Sequence, residues 1–190
     1  MPGTAYHSIA NQCTDWLSVV EECQIQSNTK LICDSLKTVE LGDDEEIISF
    51  DVSSLYTNVP VIEAIEHCAD LLYSGKYELP PVDKETFITL LKLGTVDVVM
   101  LTHDGYYRQT DGLAMDGPPA PLLANGWLSK FDPLIKGEAT RYFRYMDDIV
   151  RNIKRTRIDG KLAAINQLHE TLSLQLRGKL MASYLSLMCC

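Results

Sequence analysis

Apolar residues recur every three to four positions along much of the chain, which is the spacing of one face of an α-helix. The segments that follow this pattern are 8–23, 29–41, 61–74, 83–93 and 159–174. Proline is tolerated in the first turn of a helix because its missing N–H has no partner there. The prolines at 118, 119 and 121 therefore predict the start of a sixth helix, which runs to about Leu134.

Three other segments have the composition of β-strands. IISFDV at 47–52 is a continuous apolar run, typical of a buried strand, and it follows an acidic run at 43–46 that we expect to be a solvated loop. VDVVMLTHDGYYRQ at 96–109 predicts a hairpin that turns at Asp104-Gly105, and RYFRYMDDIVRNI at 141–153 predicts a second hairpin. The order of elements predicts an α+β domain with one small antiparallel sheet packed against helices.

Composition adds limits on the class of protein. The chain has 190 residues, of which 46% are hydrophobic and 23% charged, as in globular domains. No apolar run approaches the roughly 18 residues of a membrane span, and the first residues lack the pattern of a signal peptide. We therefore expect an intracellular protein, nuclear or cytoplasmic, that is neither secreted nor membrane-bound. The six cysteines lack the spacing of a metal site and are expected to be reduced thiols.

Charged residues are distributed unevenly along the chain. The net charge is -9, yet residues 141–190 carry nine Lys and Arg against four Asp and Glu. An acidic chain repels nucleic acid at long range, which argues against a DNA or RNA binder. The exception is a protein whose acids gather around a metal and whose basic surface lies in another segment. The sequence does not indicate the oligomeric state.

Three carboxylates are candidates for such an acidic site. Asp51 ends the predicted strand at 47–52, and Asp147 and Asp148 lie at the tip of the second hairpin. If this strand and hairpin are neighbours, their acids converge at one end of the sheet, where they would need a divalent cation. Oxygen ligands select Mg²⁺ or Mn²⁺, and two such ions support nucleotidyl transfer without a protein nucleophile. The alternative is that the Asp-Asp pair only forms a polar turn.

Three segments in order carry a resemblance to a known family. FDVSSLYTNVP at 50–60, YRQTDGLAM at 107–115 and YMDD at 145–148 resemble motifs A, B and C of a reverse transcriptase palm. The closest resemblance is to the reverse transcriptases of Penelope-like retroelements. It covers roughly residues 5–175 and implies an RNA-directed DNA polymerase that extends a DNA primer on an RNA template with deoxynucleoside triphosphates and two Mg²⁺ or Mn²⁺ ions.

The resemblance also implies roles for individual residues. Asp51 and Asp147 match the metal-binding aspartates, Asp148 is the second acid of the pair, and the carbonyl of Val52 completes the metal site. Tyr56 matches the aromatic residue under the incoming sugar, whose ring rejects a 2′-hydroxyl. The segment from Gln109 through Gly112 to Met115 is expected to run alongside the templating base and the incoming nucleotide.

Motif B departs from the family. The family pattern resembles A-M-G-S-P, but Asp116 and Gly117 stand here in place of the glycine and the serine. A negative charge beside a phosphate-rich substrate is expected to impair catalysis. The lysine that assists pyrophosphate departure also has no convincing match, since Lys154 and Lys161 are weak candidates.

The predicted organisation has three parts. Residues 1–45 form an N-terminal helical part at the junction of fingers and palm, 46–175 the palm, and 176–190 a divergent tail. Fingers and thumb are expected to be incomplete. The predicted function is thus a reverse transcriptase domain fragment with weak or absent activity on its own. The alternative is a non-catalytic retroelement remnant, or a palm that binds nucleic acid or protein.

Overall fold

The structure is a computed structural model that describes residues 5–24, 41–96, 99–109 and 112–180. Within these residues the chain has seven α-helices, a four-stranded antiparallel sheet and a separate two-stranded hairpin, which confirms the predicted α+β class. The predicted helix at 29–41 lies outside the described residues. None of the helices that the structure describes is long and apolar enough to cross a membrane.

The elements follow one another in the order α1 (Ala5–Leu17), β1 (Glu45–Val52), α2 (Leu55–Asn58), α3 (Val61–Leu72), α4 (Lys84–Thr95), β2 (Val99–Thr102), β3 (Gly105–Arg108), α5 (Ala120–Ser129), α6 (Asp132–Lys136), β4 (Tyr142–Tyr145), β5 (Asp148–Lys154), α7 (Ile158–Ile165) and β6 (Leu174–Leu180), with short 3₁₀ turns at Glu21–Cys23 and Arg155–Arg157. The chain divides into two compact units. The first contains described residues within 1–25 and 54–131, and the second those within 26–53 and 132–190.

The first unit is a helical core with the β2–β3 hairpin. Helix α1 packs on α4, and α3 packs on both α4 and α5. Leu17, Phe87 and Leu91 are fully buried between α1 and α4, as their helical spacing predicts. A side chain at Gly126 of α5 would meet the sulfur atoms of Cys23 and Cys68, so glycine allows the close approach of these segments. These two thiols and Cys13 are buried and free, in agreement with the prediction of reduced cysteines.

The second unit contains the four-stranded sheet. Its strands lie in the order β4-β5-β1-β6, so β1 is central and pairs antiparallel with β5 on one side and β6 on the other. Ile48, Phe50 and Ile149 are fully buried on these strands. The apolar run predicted as a buried strand is therefore the centre of the sheet. The second predicted hairpin is β4–β5, with Tyr145 pairing to Asp148 across the turn.

Several element boundaries differ from the prediction. The first hairpin turns at His103-Asp104, because Thr102 pairs with Gly105. The helix predicted from the prolines to Leu134 is two helices, α5 and α6. Glu45 and Glu46 belong to strand β1 and not to a solvated loop. Strand pairing brings cations to this acidic segment: Arg155 lies 2.7 Å from Glu46, and Lys154 lies 3.2 Å from Asp44.

The largest error concerns the last strand. The helix predicted at 159–174 ends at Ile165, and β6 follows in a segment that the sequence predicts to lie partly in that helix and partly in the divergent tail at 176–190. Leucines at 174, 176 and 180 alternate with polar residues, which is the period of a half-buried strand. The signal was present but short, and only the free edge of β1 gives this segment its hydrogen-bonding partner.

Candidate active site

The structure brings the three predicted carboxylates to one end of the sheet in the second unit. Asp51 on β1 is the register partner of Asp148 on β5. Asp147 lies in the turn directly before Asp148, and its carbonyl accepts a hydrogen bond of 2.9 Å from the backbone N–H of Val52. We call Asp51, Asp147 and Asp148 the carboxylate site. Their convergence follows from antiparallel pairing, in which directly opposite residues have neighbouring side chains.

A tight turn holds the two consecutive acids in place. Met146 has a φ of +54°, in the left-handed region that non-glycine residues seldom adopt. This conformation lets Met146 and Asp147 connect the paired residues Tyr145 and Asp148 as a two-residue loop. The hairpin is also fixed at its outer strand, because Arg144 donates two hydrogen bonds of 2.8 Å to Asp132 at the start of α6.

Arg177 on β6 is part of the site and was not predicted. Leu176 pairs with Phe50 while Gly178 pairs with Ser49, so Arg177 is the extra residue of a β-bulge. A bulge changes the direction of a side chain relative to a regular strand. The guanidinium donates to Asp148 Oδ1 at 2.5 Å and lies 3.5 Å from Asp51 Oδ1. No local motif marks Arg177, because its role depends on the pairing of β6 with β1.

The electrostatics of the site are those of crowded acids with one cation. Burial raises the pKa of Asp148, and the charges of Asp147 and Asp51 act in the same direction. The Arg177 guanidinium opposes this shift without cancelling it. Asp51 Oδ1 is buried and makes no hydrogen bond within the described part of the chain. Such an oxygen is costly unless a cation approaches it.

The chemical type of the available donor atoms suits a divalent metal ion. Asp51, Asp147 and Asp148 provide carboxylate oxygens, which are the ligands that Mg²⁺ and Mn²⁺ prefer, and the buried Oδ1 of Asp51 lacks a hydrogen-bond donor. In the arrangement seen, no three acidic, His or Cys side chains of the described residues are gathered closely enough to hold an ion. Within the described residues, Arg177 is the cation that pairs with two of the three carboxylates, Asp51 and Asp148.

Two other predicted site residues lie together in the first unit. The backbone N–H of Leu113 donates a 2.7 Å hydrogen bond to the carbonyl of Tyr56 on α2. Gly112 has a φ of +74°, and a Cβ atom there would lie 2.8 Å from the carbonyl oxygens of Tyr56 and Thr57. Only glycine fits this contact. Motif B is therefore packed directly against motif A at Gly112, although the two segments are more than 50 positions apart in the sequence.

The remaining motif B residues are more accessible. Gln109 follows β3 and is half-buried, whereas 74% of Met115 is exposed. Asp116 is exposed in the turn that precedes α5, and the next N–H, that of Gly117, donates to the carbonyl of Ala114 at 2.9 Å.

The two lysine candidates lie elsewhere in the second unit. Lys154 pairs with Glu45 at the end of the β1–β5 ladder opposite to the pair Asp51 and Asp148, six residues and therefore about 20 Å away. Lys161 on α7 donates to the carbonyl of Leu134 at 2.7 Å. Lys154 is thus too far from the carboxylate site to assist chemistry there.

Comparison with known proteins gives a likeness of fold. No family model and no curated protein matches the chain. Two solved structures match it over 90% of its length at 12% identity: an apo telomerase from Candida tropicalis truncated from its C-terminal domain, with a TM-score of 0.55, and a telomerase from Candida albicans in complex with a TWJ fragment of telomeric RNA, with a TM-score of 0.56. The chain covers 38% of the first telomerase chain and 33% of the second.

These matches concern architecture and not activity, because they lie far below 25% identity. They are consistent with the α+β class that the described helices and strands show. The chain therefore has an α+β fold of the reverse-transcriptase type, similar to part of telomerase.

Proposed function

We propose that this chain carries the palm of a reverse transcriptase, whose parent reaction is template-directed transfer of deoxynucleotides to a primer. The observation that carries the proposal is the pairing of Asp51 with Asp148, beside Asp147, at one end of a sheet in a fold similar to part of telomerase. The Asp-Asp turn alone is common. Its placement opposite a third acid on the neighbouring strand of this fold is not expected for a merely polar turn.

In this proposal Asp51, Asp147, Asp148 and the carbonyl of Val52 hold two Mg²⁺ or Mn²⁺ ions. When bound, such ions activate the primer hydroxyl and stabilise the leaving pyrophosphate. The protein's own contribution is to place the three acidic residues at one end of the sheet, through the β1–β5 pairing and the left-handed turn at Met146. No side chain acts as a covalent nucleophile.

The substrate side of the proposal rests on the first unit. Tyr56 is proposed to lie under the sugar of the incoming nucleotide, and Gln109, Gly112 and Met115 to pass the nucleotide and the templating base. The hydrogen bond from Leu113 to Tyr56 supports a shared role, because it ties the two segments into one piece. The partners are an RNA template and a DNA primer. A Penelope-like retroelement origin, the palm boundaries at 46–175 and a nuclear or cytoplasmic location belong to the same proposal.

A second candidate is a palm without catalysis, retained as a remnant or as a binding module. Two observations favour it. Arg177 lies against Asp51 and Asp148, so one protein cation already neutralises part of the carboxylate site. Asp116 adds an exposed negative charge in motif B, where a phosphate-rich substrate is expected.

The test is calorimetric titration of Mg²⁺ and Mn²⁺ into the chain, with a primer–template duplex and a deoxynucleoside triphosphate present. The double variant Asp51→Asn/Asp147→Asn removes two carboxylates from the site. We expect metal binding in the wild type and its loss in this variant. Primer extension in the same mixtures reports whether binding is accompanied by catalysis.

The matched control is Asp43→Asn/Asp159→Asn, which removes two exposed carboxylates of the same unit away from the site. It changes the net charge equally and is expected to retain binding. If both double variants bind the metals as the wild type does, the carboxylate site is not a metal site and the proposal fails. Metal binding without primer extension favours the non-catalytic candidate.

A further inference from the structure

A cavity of about 550 Å³ lies within the second unit, away from the carboxylate site. It is bounded by the loop after α6, the end of β5, the 3₁₀ turn and α7. On the sheet it is lined by Glu45 and by residues 151–154, and Arg151 pairs with Ile48 three residues along the ladder from the pair Asp51 and Asp148, or about 10 Å away. The cavity is of the size that holds a small ligand.

Basic residues outnumber acidic ones in the cavity lining. The cationic residues are Arg151, Lys154, Arg157 and Lys161, and the acidic residues are Glu45 and Glu138. Two of the cations have carboxylate partners: Lys154 lies 3.2 Å from Asp44, and Arg157 lies 2.7 Å from Glu138. In a chain with a net charge of -9, this is an unusual concentration of positive charge.

The other two cations bind only backbone carbonyls among the described residues. Arg151 is 4% exposed, and it donates from Nη1 to Ile135 and from Nε to its neighbour Asn152. Lys161 donates to Leu134 at 2.7 Å. Neither makes an ion pair with a carboxylate in the part of the chain that the structure describes. A buried cation without a counterion is unfavourable, so this arrangement favours an anion from outside.

The charge of Arg151 also acts on Lys161. Burial lowers the pKa of Lys161, and the charge of Arg151 lowers it further; burial likewise lowers the pKa of Arg151. Tyr142 and then Glu138 oppose the lowering of the Arg151 pKa, and Glu138 opposes that of Lys161, but the Glu138 carboxylate is 88% exposed and already paired with Arg157. Two like charges are thus held close together beside an open volume.

We propose that this cavity, the basic cavity, binds the phosphate group of a small phosphorylated ligand through Arg151 and Lys161. Guanidinium groups match the geometry of phosphate oxygens, and a lysine ammonium adds a compact charge beside them. The site is independent of the proposed polymerase chemistry, because it shares no residue with the carboxylate site.

The test is calorimetric titration of pyrophosphate into the full chain in low salt with EDTA. Removing divalent metals matters because pyrophosphate could otherwise follow a metal into the carboxylate site. We expect Lys161→Met to weaken pyrophosphate binding roughly 10- to 100-fold, as for the loss of one charge-assisted hydrogen bond. Arg151→Met is expected to weaken it at least as much, provided that circular dichroism shows a folded chain.

The matched control is Lys136→Met, which removes an exposed lysine of the same unit outside the cavity lining. It is expected to change the affinity less than twofold, as is Asp51→Asn/Asp147→Asn. Equal weakening in Lys136→Met and Lys161→Met would mean diffuse attraction and overturn the proposal. Absence of binding at millimolar pyrophosphate would also overturn it, whatever the outcome at the carboxylate site.

A second titration distinguishes the source of the phosphate. A ten-residue oligothymidylate carries phosphodiesters along a backbone that extends well beyond a cavity of about 550 Å³. We expect it to bind more weakly than pyrophosphate. Tighter binding that depends on Lys161 would instead assign the basic cavity to a nucleic-acid backbone and overturn the small-ligand proposal.

Discussion

Arg177 determines how much of the carboxylate site is available to a metal ion. Its guanidinium lies 2.5 Å from Asp148 and 3.5 Å from Asp51, so a divalent ion at these oxygens meets a cation that is already present. The substitution Arg177→Gln removes this charge and retains a polar side chain on the exposed edge of β6. We predict that it increases the affinity of the site for Mg²⁺ and Mn²⁺.

The magnitude follows from Coulomb's law with water screening. The Arg177 side chain is 58% exposed, so the dielectric constant of water is more appropriate than that of an interior. Two unit charges about 4 Å apart interact by about 1 kcal/mol in water, so a divalent ion meets about 2 kcal/mol of repulsion. Removing it corresponds to roughly 30-fold tighter metal binding.

The assay is calorimetric titration of Mn²⁺ into the wild type and the variant at equal ionic strength. The matched control is Arg155→Gln, which removes an arginine that is 61% exposed, paired with Glu46 at 2.7 Å, and located at the far end of the same sheet. We expect no more than a twofold change in the control. Equal affinities in wild type and Arg177→Gln, or equal gains in both variants, would refute the reasoning.

Three further predictions concern the first unit. Gly112→Ala is expected to destabilise the chain by about 2–4 kcal/mol in urea unfolding, because it adds a strained left-handed alanine and an overlap with the carbonyls of Tyr56 and Thr57. Burial, and then the charge of Lys130, lower the pKa of His67 in the folded chain below its usual value of 6.5. The His67 imidazole therefore binds a proton more readily in the unfolded chain than in the folded one. The free energy of unfolding should therefore fall as pH drops below 6.5, by up to about 1.4 kcal/mol per pH unit, and His67→Gln should reduce this slope. Asp116→Gly with Gly117→Ser should tighten deoxynucleotide binding roughly fivefold, because a like-charge contact at ~4 Å costs about 1 kcal/mol in water.

Each of these predictions has a control or a contradicting outcome. Gly75 has a φ of +86° with open space around it. Gly75→Ala should therefore lower the free energy of unfolding only through the strained left-handed backbone, by about 1–2 kcal/mol. Equal losses at Gly75 and Gly112 would contradict the overlap. For His67, an unchanged pH slope in the variant would exclude the imidazole as the cause. For Asp116, unchanged nucleotide affinity would remove the charge objection to motif B.

The local pattern was sufficient for the elements that carry the predicted acids. The apolar run before Asp51 and the aromatic-apolar residues around Asp147 each specify a strand through their own composition, and both strands are present. The helices α1, α3 and α4 likewise follow from their periodic apolar faces. Boundaries were less accurate, since α7 has only eight residues and the first hairpin turn is shifted by one position.

The sequence by itself therefore determined the α+β class and the central strand, because these depend on short-range spacing, and the three acids remain its prediction for the site. Only the tertiary structure decided that Asp51 pairs with Asp148, that Gly112 packs on the backbone of Tyr56, and that Arg177 reaches the carboxylate site. These contacts join residues that are far apart in the chain. Pairing register, a β-bulge and close backbone packing are properties of two segments together, and neither segment contains them alone.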